Sequence, residues 1–143
     1  MDDNNIAISI KRTSDLIEKC ANSELEKYNL TLSQARILSY LVECQADSLS
    51  LKALEKLFGV SQATMQGVIS RLSKKGLVAT FYAINDRKTK YVCITNQGKM
   101  LVDNFSKDAA DINRIISSNL SNSELEQLNG TIRKIYKTLK SLS

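Results

Sequence analysis

Apolar residues recur at helical spacing in successive segments of the chain, and most of these segments carry their own start or stop signal. The first segment runs from Ile6 to Tyr28 and predicts a long N-terminal helix. Thr31, followed by Gln34 three positions later, is a capping-box pair that predicts a second helix ending near Cys44. The pattern is typical of a mainly helical protein.

Two short helices separated by a tight turn are predicted next. Ser50 can cap a third helix, which Gly59 ends because glycine adopts the left-handed backbone conformation at little cost. Ser61 can cap a fourth helix almost immediately, and Gly76 marks its end. Two short helices joined in this way predict a helix-turn-helix. The residues expected on the inner face of the fourth helix are Met65, Val68, Ile69 and Leu72.

After Gly76 the period changes from helical to extended. Residues 78–84 and 91–94 are rich in the β-branched and aromatic residues that favour strands. The polar stretch 85–89 lies between them and is expected to form the charged tip of a β-hairpin. The sequence therefore predicts a mainly α fold with one small β-hairpin.

Two further helices complete the prediction. Thr95 can cap the fifth helix, and Ser121 with Glu124 forms a second capping box that begins the sixth. Apolar residues of the sixth helix follow at spacings of 3, 4, 3, 4 and 3, which is an a/d heptad seam. Such a narrow stripe favours assembly of two copies of the chain, and the alternative is that it packs within its own chain. The seam consists of Leu125, Leu128, Ile132, Ile135, Leu139 and Leu142.

The composition excludes several classes of function. The 143 residues include no histidine and no proline. Without histidine the chain lacks Ser-His-Asp and Cys-His catalytic pairs and imidazole metal ligands, so we predict no enzyme activity, no metal and no cofactor. The absence of proline favours long, uninterrupted helices. The length is that of one domain.

The cysteines and the hydropathy bear on the cell compartment. Cys20, Cys44 and Cys93 match neither a disulfide framework nor C-x-x-C metal spacing, so we expect them to be reduced and mostly packed. Whether one of them senses redox state stays open. The N-terminus lacks the features of a signal peptide, and no apolar stretch approaches the roughly 18 residues of a bilayer span, which predicts a cytoplasmic protein.

The net charge of +5 is unevenly distributed along the chain. Residues 1–49 hold five basic and eight acidic side chains, residues 50–99 hold nine and two, and residues 100–143 hold six and five. The helix-turn-helix and the hairpin therefore carry a local charge of +7. A concentration of positive charge on these two elements favours a polyanionic partner, and we predict double-stranded DNA.

The fourth helix has the side chains that a major-groove helix needs. Short polar residues at its N-terminal end suit base contacts, Gln matches adenine, and basic residues at its C-terminal end suit phosphates. Arg87 and Lys88 of the hairpin fit the minor groove of A·T-rich DNA, and Asp86 is expected to orient them by ion pairing. The predicted DNA-binding residues are Ser61, Gln62, Ala63, Thr64, Gln66, Gly67, Arg71, Lys74, Lys75, Arg87 and Lys88.

Three stretches together resemble the MarR family of winged helix-turn-helix regulators. They are SQATMQGVISRLSKKGLV at residues 61–78, Asp-Arg-Lys at 86–88, and Ile-Thr-Asn-Gln-Gly at 94–98. The resemblance covers essentially the whole chain. It implies a single winged domain, in which residues 31–99 bind DNA and residues 1–30 and 100–143 form a helical dimerisation region. Ile6 and Ile10, with the six seam residues, are the expected dimer interface.

The resemblance also implies a function. We predict a homodimeric, sequence-specific transcriptional regulator, a repressor rather than an activator, on a pseudo-palindromic operator with half-site centres roughly 10 bp apart. In this family a small phenolic or lipophilic effector can bind between the dimerisation and DNA-binding regions, and no residue here is assigned to it. The alternative is a dimeric interaction module whose winged core binds a protein.

The chain departs from the family pattern at two positions. Lys88 stands where the family has the wing arginine, so minor-groove insertion is expected from either Arg87 or Lys88. Glu55 stands four residues before the turn glycine, where such motifs often have alanine. The lack of histidine makes the chain a poor candidate for the zinc-responsive members of the family.

Overall fold

The computed structural model describes residues 4–143, with the backbone only for residues 108–111. The mainly helical architecture with a small antiparallel sheet confirms the fold class predicted from the sequence. The helices are α1 (Ile6–Leu25), α2 (Leu32–Glu43), α3 (Leu51–Phe58), α4 (Gln62–Lys74), α5 (Asn96–Ser118) and α6 (Asn122–Lys140). A single 3-10 turn (Glu26–Tyr28) precedes α2, and the strands are β1 (Leu49–Ser50), β2 (Val78–Ala83) and β3 (Asp86–Ile94).

The predicted helix starts are confirmed by side-chain caps. At α2 the Thr31 hydroxyl accepts a hydrogen bond from the Gln34 amide at 3.3 Å, while the Gln34 side chain accepts one from the Thr31 amide at 3.1 Å. Ser121 and Glu124 form the same reciprocal pair at α6. Each box satisfies backbone amides that the first turn of a helix leaves unpaired, which is why the helices begin at these residues.

The sheet has one strand that the sequence did not predict. Strand β1 contains only two residues and pairs antiparallel with β3, so that the strand order is β1-β3-β2. Leu49 lies opposite Val92, which is fully buried. A two-residue strand is too short to show an alternating pattern, and its existence depends on a partner more than forty residues away.

The chain divides into two compact units, one ending at residue 108 and the other covering residues 109–143, and α5 runs from one into the other. The first unit holds a continuous apolar core to which α2, α3, α4, β3 and the first half of α5 contribute. Its most completely buried side chains are Leu38, Leu54, Met65, Ile69, Leu72 and Val92. The inner face predicted for α4 is thus part of this core.

Two of the three cysteines are half-buried and one is exposed. Cys44 and Cys93 are partly covered, and all three thiols are free. The expectation of mostly packed cysteines is wrong for Cys20, which lies on the exposed surface of α1. None of the helices in the described part of the chain is long and apolar enough to cross a membrane.

Candidate nucleic-acid interface

The turn between α3 and α4 has the geometry that its sequence predicts. Gly59 adopts a left-handed conformation with φ of 63° and ends α3. The amides of Gly59 and Val60 both donate to the carbonyl of Glu55, at 3.1 Å for Val60. Glu55 itself is half-buried rather than fully solvated. Because its carbonyl accepts both amides, the chain turns tightly and only residues 59–61 separate α3 from α4.

Helix α4 presents a polar face along its N-terminal half. Gln62, Ala63 and Gln66 are exposed, while Met65 and Ile69 on the opposite face are buried. The amphipathic arrangement fixes which side of the helix can meet a partner, because the apolar side is held in the core. The exposed side carries amide and methyl groups, which are the groups that read base edges in a major groove.

Ser61 and Thr64 are exposed but are engaged with each other. The Ser61 hydroxyl accepts a hydrogen bond from the Thr64 amide at 3.2 Å and donates one to the Thr64 hydroxyl at 3.0 Å. Both side chains therefore serve the cap of α4. Of the short polar residues predicted to face DNA, Gln62 and Gln66 are the ones whose side chains the structure leaves outside the capping bonds.

The basic end of α4 is divided between two environments. Arg71 and Lys74 are exposed in the last turn, where positive charge also suits the helix dipole. A methyl group added at Gly67 would lie 3.8 Å from the Arg71 guanidinium, so Gly67 and Arg71 share one side of the helix. Lys75 is half-buried, and its ammonium donates to the Asn29 carbonyl and to the Gln34 side-chain oxygen at 3.3 Å.

The wing differs in detail from the predicted hairpin. The chain turns at residues 84 and 85, and Asp86 already lies in β3 opposite Ala83, so the prediction of a tip at 85–89 is wrong. Residues 87–89 are instead inserted between the pairs Tyr82–Lys90 and Ala83–Asp86, forming a bulge on β3. Such a bulge bends the strand and displaces its side chains. Arg87 and Lys88 are both exposed on it.

Asp86 holds the bulge through backbone hydrogen bonds rather than by the ion pairing expected from the sequence. Its carboxylate accepts from the amides of Lys88 at 3.0 Å and Thr89 at 3.3 Å. The ion pairs recorded among the described residues are Lys11–Asp15 and Lys27–Glu24, both on α1 or immediately after it. Hydrogen bonding from the Thr89 side chain and the Lys88 amide keeps the pKa of Asp86 below its usual value.

Thr95 and Gly98 join the wing to α5. The Thr95 hydroxyl accepts from the Gly98 amide at 3.1 Å and donates to the Gly76 carbonyl at 2.7 Å. A Cβ on Gly98 would lie 2.3 Å from the Leu77 carbonyl oxygen, closer than any side chain permits. The cap by Thr95 is visible in the sequence, whereas the close approach that requires a glycine depends on Leu77, which lies between α4 and β2 and outside the motif, and so leaves no local signal.

An open cavity of about 460 Å³ lies in the first unit. The Lys75 ammonium and the Tyr28 phenol are polar groups on its wall, and Leu101 and Met100 are apolar ones. The residues 4–107 and 112–143, whose side chains are described, include no cluster of three or more carboxylate or thiol groups that could hold a metal.

The residues expected at a dimer interface are mostly exposed. Ile6 and Ile10 of α1 are 70% and 47% exposed. Four seam residues in the second unit are exposed and two are half-buried. The exposed four are Leu128, Ile132, Leu139 and Leu142, the half-buried two are Leu125 and Ile135, and Leu142 lies beyond the end of α6.

Comparison with known proteins shows which proteins the chain resembles. The MarR family model matches residues 28–80, which span α2 to the first residues of β2. A homoprotocatechuate degradative operon repressor of Escherichia coli is 25% identical over 73% of this chain and 69% of its own length. An uncharacterised helix-turn-helix transcriptional regulator of Bacillus subtilis is 27% identical over 94% of this chain and 78% of its own.

Solved structures share the whole fold. The DNA complex of Staphylococcus aureus MepR superimposes with a TM-score of 0.88 at 23% identity, covering 94% of this chain and 98% of that one. The reduced form of Escherichia coli MarR gives a TM-score of 0.80 at 20% identity with the same coverage. Family match, relatives and fold agree with the resemblance carried by the α4, wing and α5 motifs. The chain is therefore similar to the MarR family of winged helix-turn-helix transcriptional regulators, whose model matches residues 28–80 and whose fold is shared over 94% of the chain.

Proposed function

We propose that the chain is a sequence-specific, homodimeric DNA-binding repressor. The observation that carries this proposal is the exposed side of α4, which has Gln62, Ala63 and Gln66 at one end and Arg71 and Lys74 at the other. In this arrangement the N-terminal half reads bases while the C-terminal half contacts phosphates. The names of the similar proteins, a repressor and a DNA complex of a regulator, support the same function.

The wing supplies the second DNA contact of the proposal. Arg87 and Lys88 project from the bulge that Asp86 braces, so their backbone is held while their side chains stay exposed. A short basic hairpin beside a recognition helix can reach the minor groove next to the major groove that the helix occupies. Arg87 is the better minor-groove probe of the two, because guanidinium is less strongly hydrated than ammonium.

The dimer supplies the symmetry that an operator would mirror. We assign residues 31–99 to DNA binding and the flanking segments, 1–30 and 100–143, to dimerisation. The exposed apolar residues of α1 and α6 support this assignment, because each set would otherwise stay in water. Two copies of α4 would then enter successive major grooves of a pseudo-palindrome whose half-site centres lie about 10 bp apart.

A small-molecule effector is a further part of the proposed function. The cavity beside Tyr28 and Lys75 pairs one cationic and one phenolic group with apolar walls, a combination that fits a small phenolic acid. We expect such a compound to raise the thermal midpoint and weaken DNA binding. Titration of a panel of hydroxybenzoates, with cyclohexanol as uncharged control, tests this part, and no response to any of them contradicts it.

A protein-interaction module is the second candidate. It is favoured by Phe81 and Tyr82 of the wing, which are 44% and 53% exposed although a DNA-contacting surface needs no aromatic side chains there. The two candidates differ in their response to salt and to DNA sequence, so one experiment separates them.

The experiment is a binding titration of the full chain across a salt series. The probes are a duplex from the region around its own gene and a random duplex of equal length. A DNA-binding regulator gives a steep negative slope of log affinity against log salt and prefers the first duplex by about 10³-fold or more. Equal affinity for the two duplexes contradicts the proposal and favours the interaction module.

Variants of α4 test the assigned contacts. Gln62→Ala and Gln66→Ala should each relax base preference at one operator position by about 1–3 kcal/mol. Arg71→Ala should instead lower the affinity for DNA of every sequence alike. Gln127→Ala is the matched control, because Gln127 is an exposed glutamine on α6 outside the winged core. If both glutamine variants of α4 keep the wild-type preference, α4 is not the recognition helix.

A further inference from the structure

Lys75 has surroundings unlike those of the other basic residues of α4. It caps the C-terminus of the helix and is half-buried, whereas Lys74 beside it is exposed. Its ammonium donates two hydrogen bonds, to the backbone carbonyl of Asn29 and to the side-chain oxygen of Gln34. Both acceptors lie between the 3-10 turn and the first turn of α2, more than forty positions earlier in the chain.

The two acceptors are themselves held in place. Asn29 is in the left-handed conformation, with φ of 56° and ψ of 43°, and its amide donates to the Glu26 carbonyl at the end of the 3-10 turn. Gln34 is 5% exposed, and the oxygen that meets Lys75 also accepts the Thr31 amide of the capping box. If the ammonium moved away to a phosphate, this buried amide oxygen would lose a charged donor.

We propose that Lys75 is a positioning residue, which holds the C-terminal end of α4 against the start of α2 and so sets the angle of the recognition helix. It is not the phosphate contact that its sequence position suggests. The inference rests on the proposed function, because it assigns a role within DNA recognition. Asn29 and Gln34 take part in this role as the two acceptors of the Lys75 ammonium.

The length of α4 explains why its far end matters for base reading. The helix has 13 residues, about 20 Å at 1.5 Å per residue, and Gln62 and Lys75 lie at opposite ends. A rotation of a few degrees at Lys75 therefore displaces Gln62 by about 1 Å, which is enough to disrupt a bidentate base contact. Contacts with phosphates tolerate such a shift better, because they depend on charge rather than on exact direction.

The test compares Lys75→Met with Lys74→Met in the full chain. Both variants remove one ammonium and keep a long side chain, and their positions are adjacent, but only Lys75 has the two internal acceptors in the structure. For each variant, affinity is measured across a salt series with the duplex from the region around the gene and with the random duplex. Lys75→Arg, which keeps a cationic donor, is the conservative variant.

The two lysines should give different signatures. Lys74→Met should lower the affinity for both duplexes alike and make the slope of log affinity against log salt shallower by about 1, because one phosphate per chain is no longer neutralised. Lys75→Met should keep the wild-type salt slope and the wild-type affinity for the random duplex, but lower the affinity for the preferred duplex by about tenfold. Lys75→Arg should restore most of the preference. A shallower slope with equal weakening in Lys75→Met, or no change for either duplex, overturns the proposal.

Hydrogen exchange keeps the proposal testable apart from DNA binding. If the wild-type chain shows no preference between duplexes, the proposed function has failed, and the contact itself is then judged from backbone amides. Amides of residues 30–34 and 71–77 should exchange faster in Lys75→Met than in the wild-type chain and be unchanged in Lys74→Met. Unchanged exchange in Lys75→Met shows that the contact does not hold α4 and overturns the inference.

Discussion

Helices α4 and α6 have similar apolar stripes but bury them to very different extents. In α4 the side chains of Met65, Ile69 and Leu72 are at most 2% exposed. In α6 no side chain is buried, and Leu128 and Leu139 are 42% and 60% exposed. The period of a sequence therefore identifies a helix and its apolar face, but it does not reveal whether the same chain or another molecule covers that face.

The two helices also differ in what their polar sides, opposite the apolar stripes, can do. Burial of one side of α4 leaves a rigid polar side directed outwards, which is what a base-reading helix needs. The strict heptad spacing of α6 has no such second function, because its polar side chains are ordinary solvated charges. We therefore expect substitutions in α4 to act on folding and on DNA contacts, and those in the α6 seam to act on association.

The largest effect should come from placing charge in the seam. Leu128→Lys with Leu139→Lys should convert the proposed dimer to monomers, because lysines in an apolar helix interface lose hydration and repel their symmetry mates. Operator affinity should fall about 10²–10⁴-fold, since the two recognition helices no longer bind as one unit. Sedimentation velocity gives the oligomeric state, and the salt-series titration gives the affinity.

The control adds the same charge to exposed α6 positions that are not seam residues. Gln127→Lys with Thr138→Lys changes exposed positions next to the seam and should leave both the dimer and the affinity unchanged. A dimer that survives the Leu128 and Leu139 changes would place the interface elsewhere, and the contrast drawn between α4 and α6 would fail.

Truncation of one leucine in each helix separates core packing from association. Leu72→Ala in α4 removes a fully buried side chain and should lower the free energy of unfolding by about 2–5 kcal/mol at every protein concentration. Leu139→Ala should lower it less, and the loss should shrink towards zero as the protein is diluted below the Kd of the dimer, because only a dimer contact is removed and monomers do not make it. Urea unfolding at two protein concentrations distinguishes these cases, and a loss in Leu139→Ala that is independent of concentration argues for packing within the chain.

Two glycines give a smaller contrast of the same kind. Gly98→Ala should destabilise the winged core by about 1–3 kcal/mol, because the new Cβ would lie 2.3 Å from the Leu77 carbonyl oxygen and 2.7 Å from a carbon of Ile94. Gly130→Ala should stabilise α6 by about 0.5–1 kcal/mol, because nothing lies within 4 Å and alanine favours helix. Thermal unfolding measures both, and equal effects would show that the two regions are not packed differently.

Local features of the chain could be predicted from sequence, whereas distant contacts could not. The capping boxes and the Gly59 turn depend on residues within five positions of one another, so their chemistry is visible in the sequence. Strand β1 and the Lys75 contacts join residues more than forty positions apart and leave no local signal. The wing lies between these cases. An aspartate side chain that accepts hydrogen bonds from the backbone amides two and three positions later is a known turn pattern, and Asp86 could have located the bulge on that basis.

The smallest effect concerns Asp86, where local hydrogen bonds fix the backbone conformation, as apolar packing does in the core. Bonds from Thr89 and Lys88 favour the carboxylate and hold its pKa below the usual value, so the folded bulge binds protons less readily than the unfolded chain. The stabilisation is therefore present above the ordinary aspartate pKa and is lost as the pH falls through the lowered one.

Amide chemical shifts of Lys88 and Thr89 should titrate with that lowered pKa in the wild-type chain and not in Asp86→Ala. Asp86→Asn keeps an acceptor oxygen without a titrating group, so it should retain the bulge and abolish its pH dependence, and a persistent titration in that variant would assign the protonation to another carboxylate.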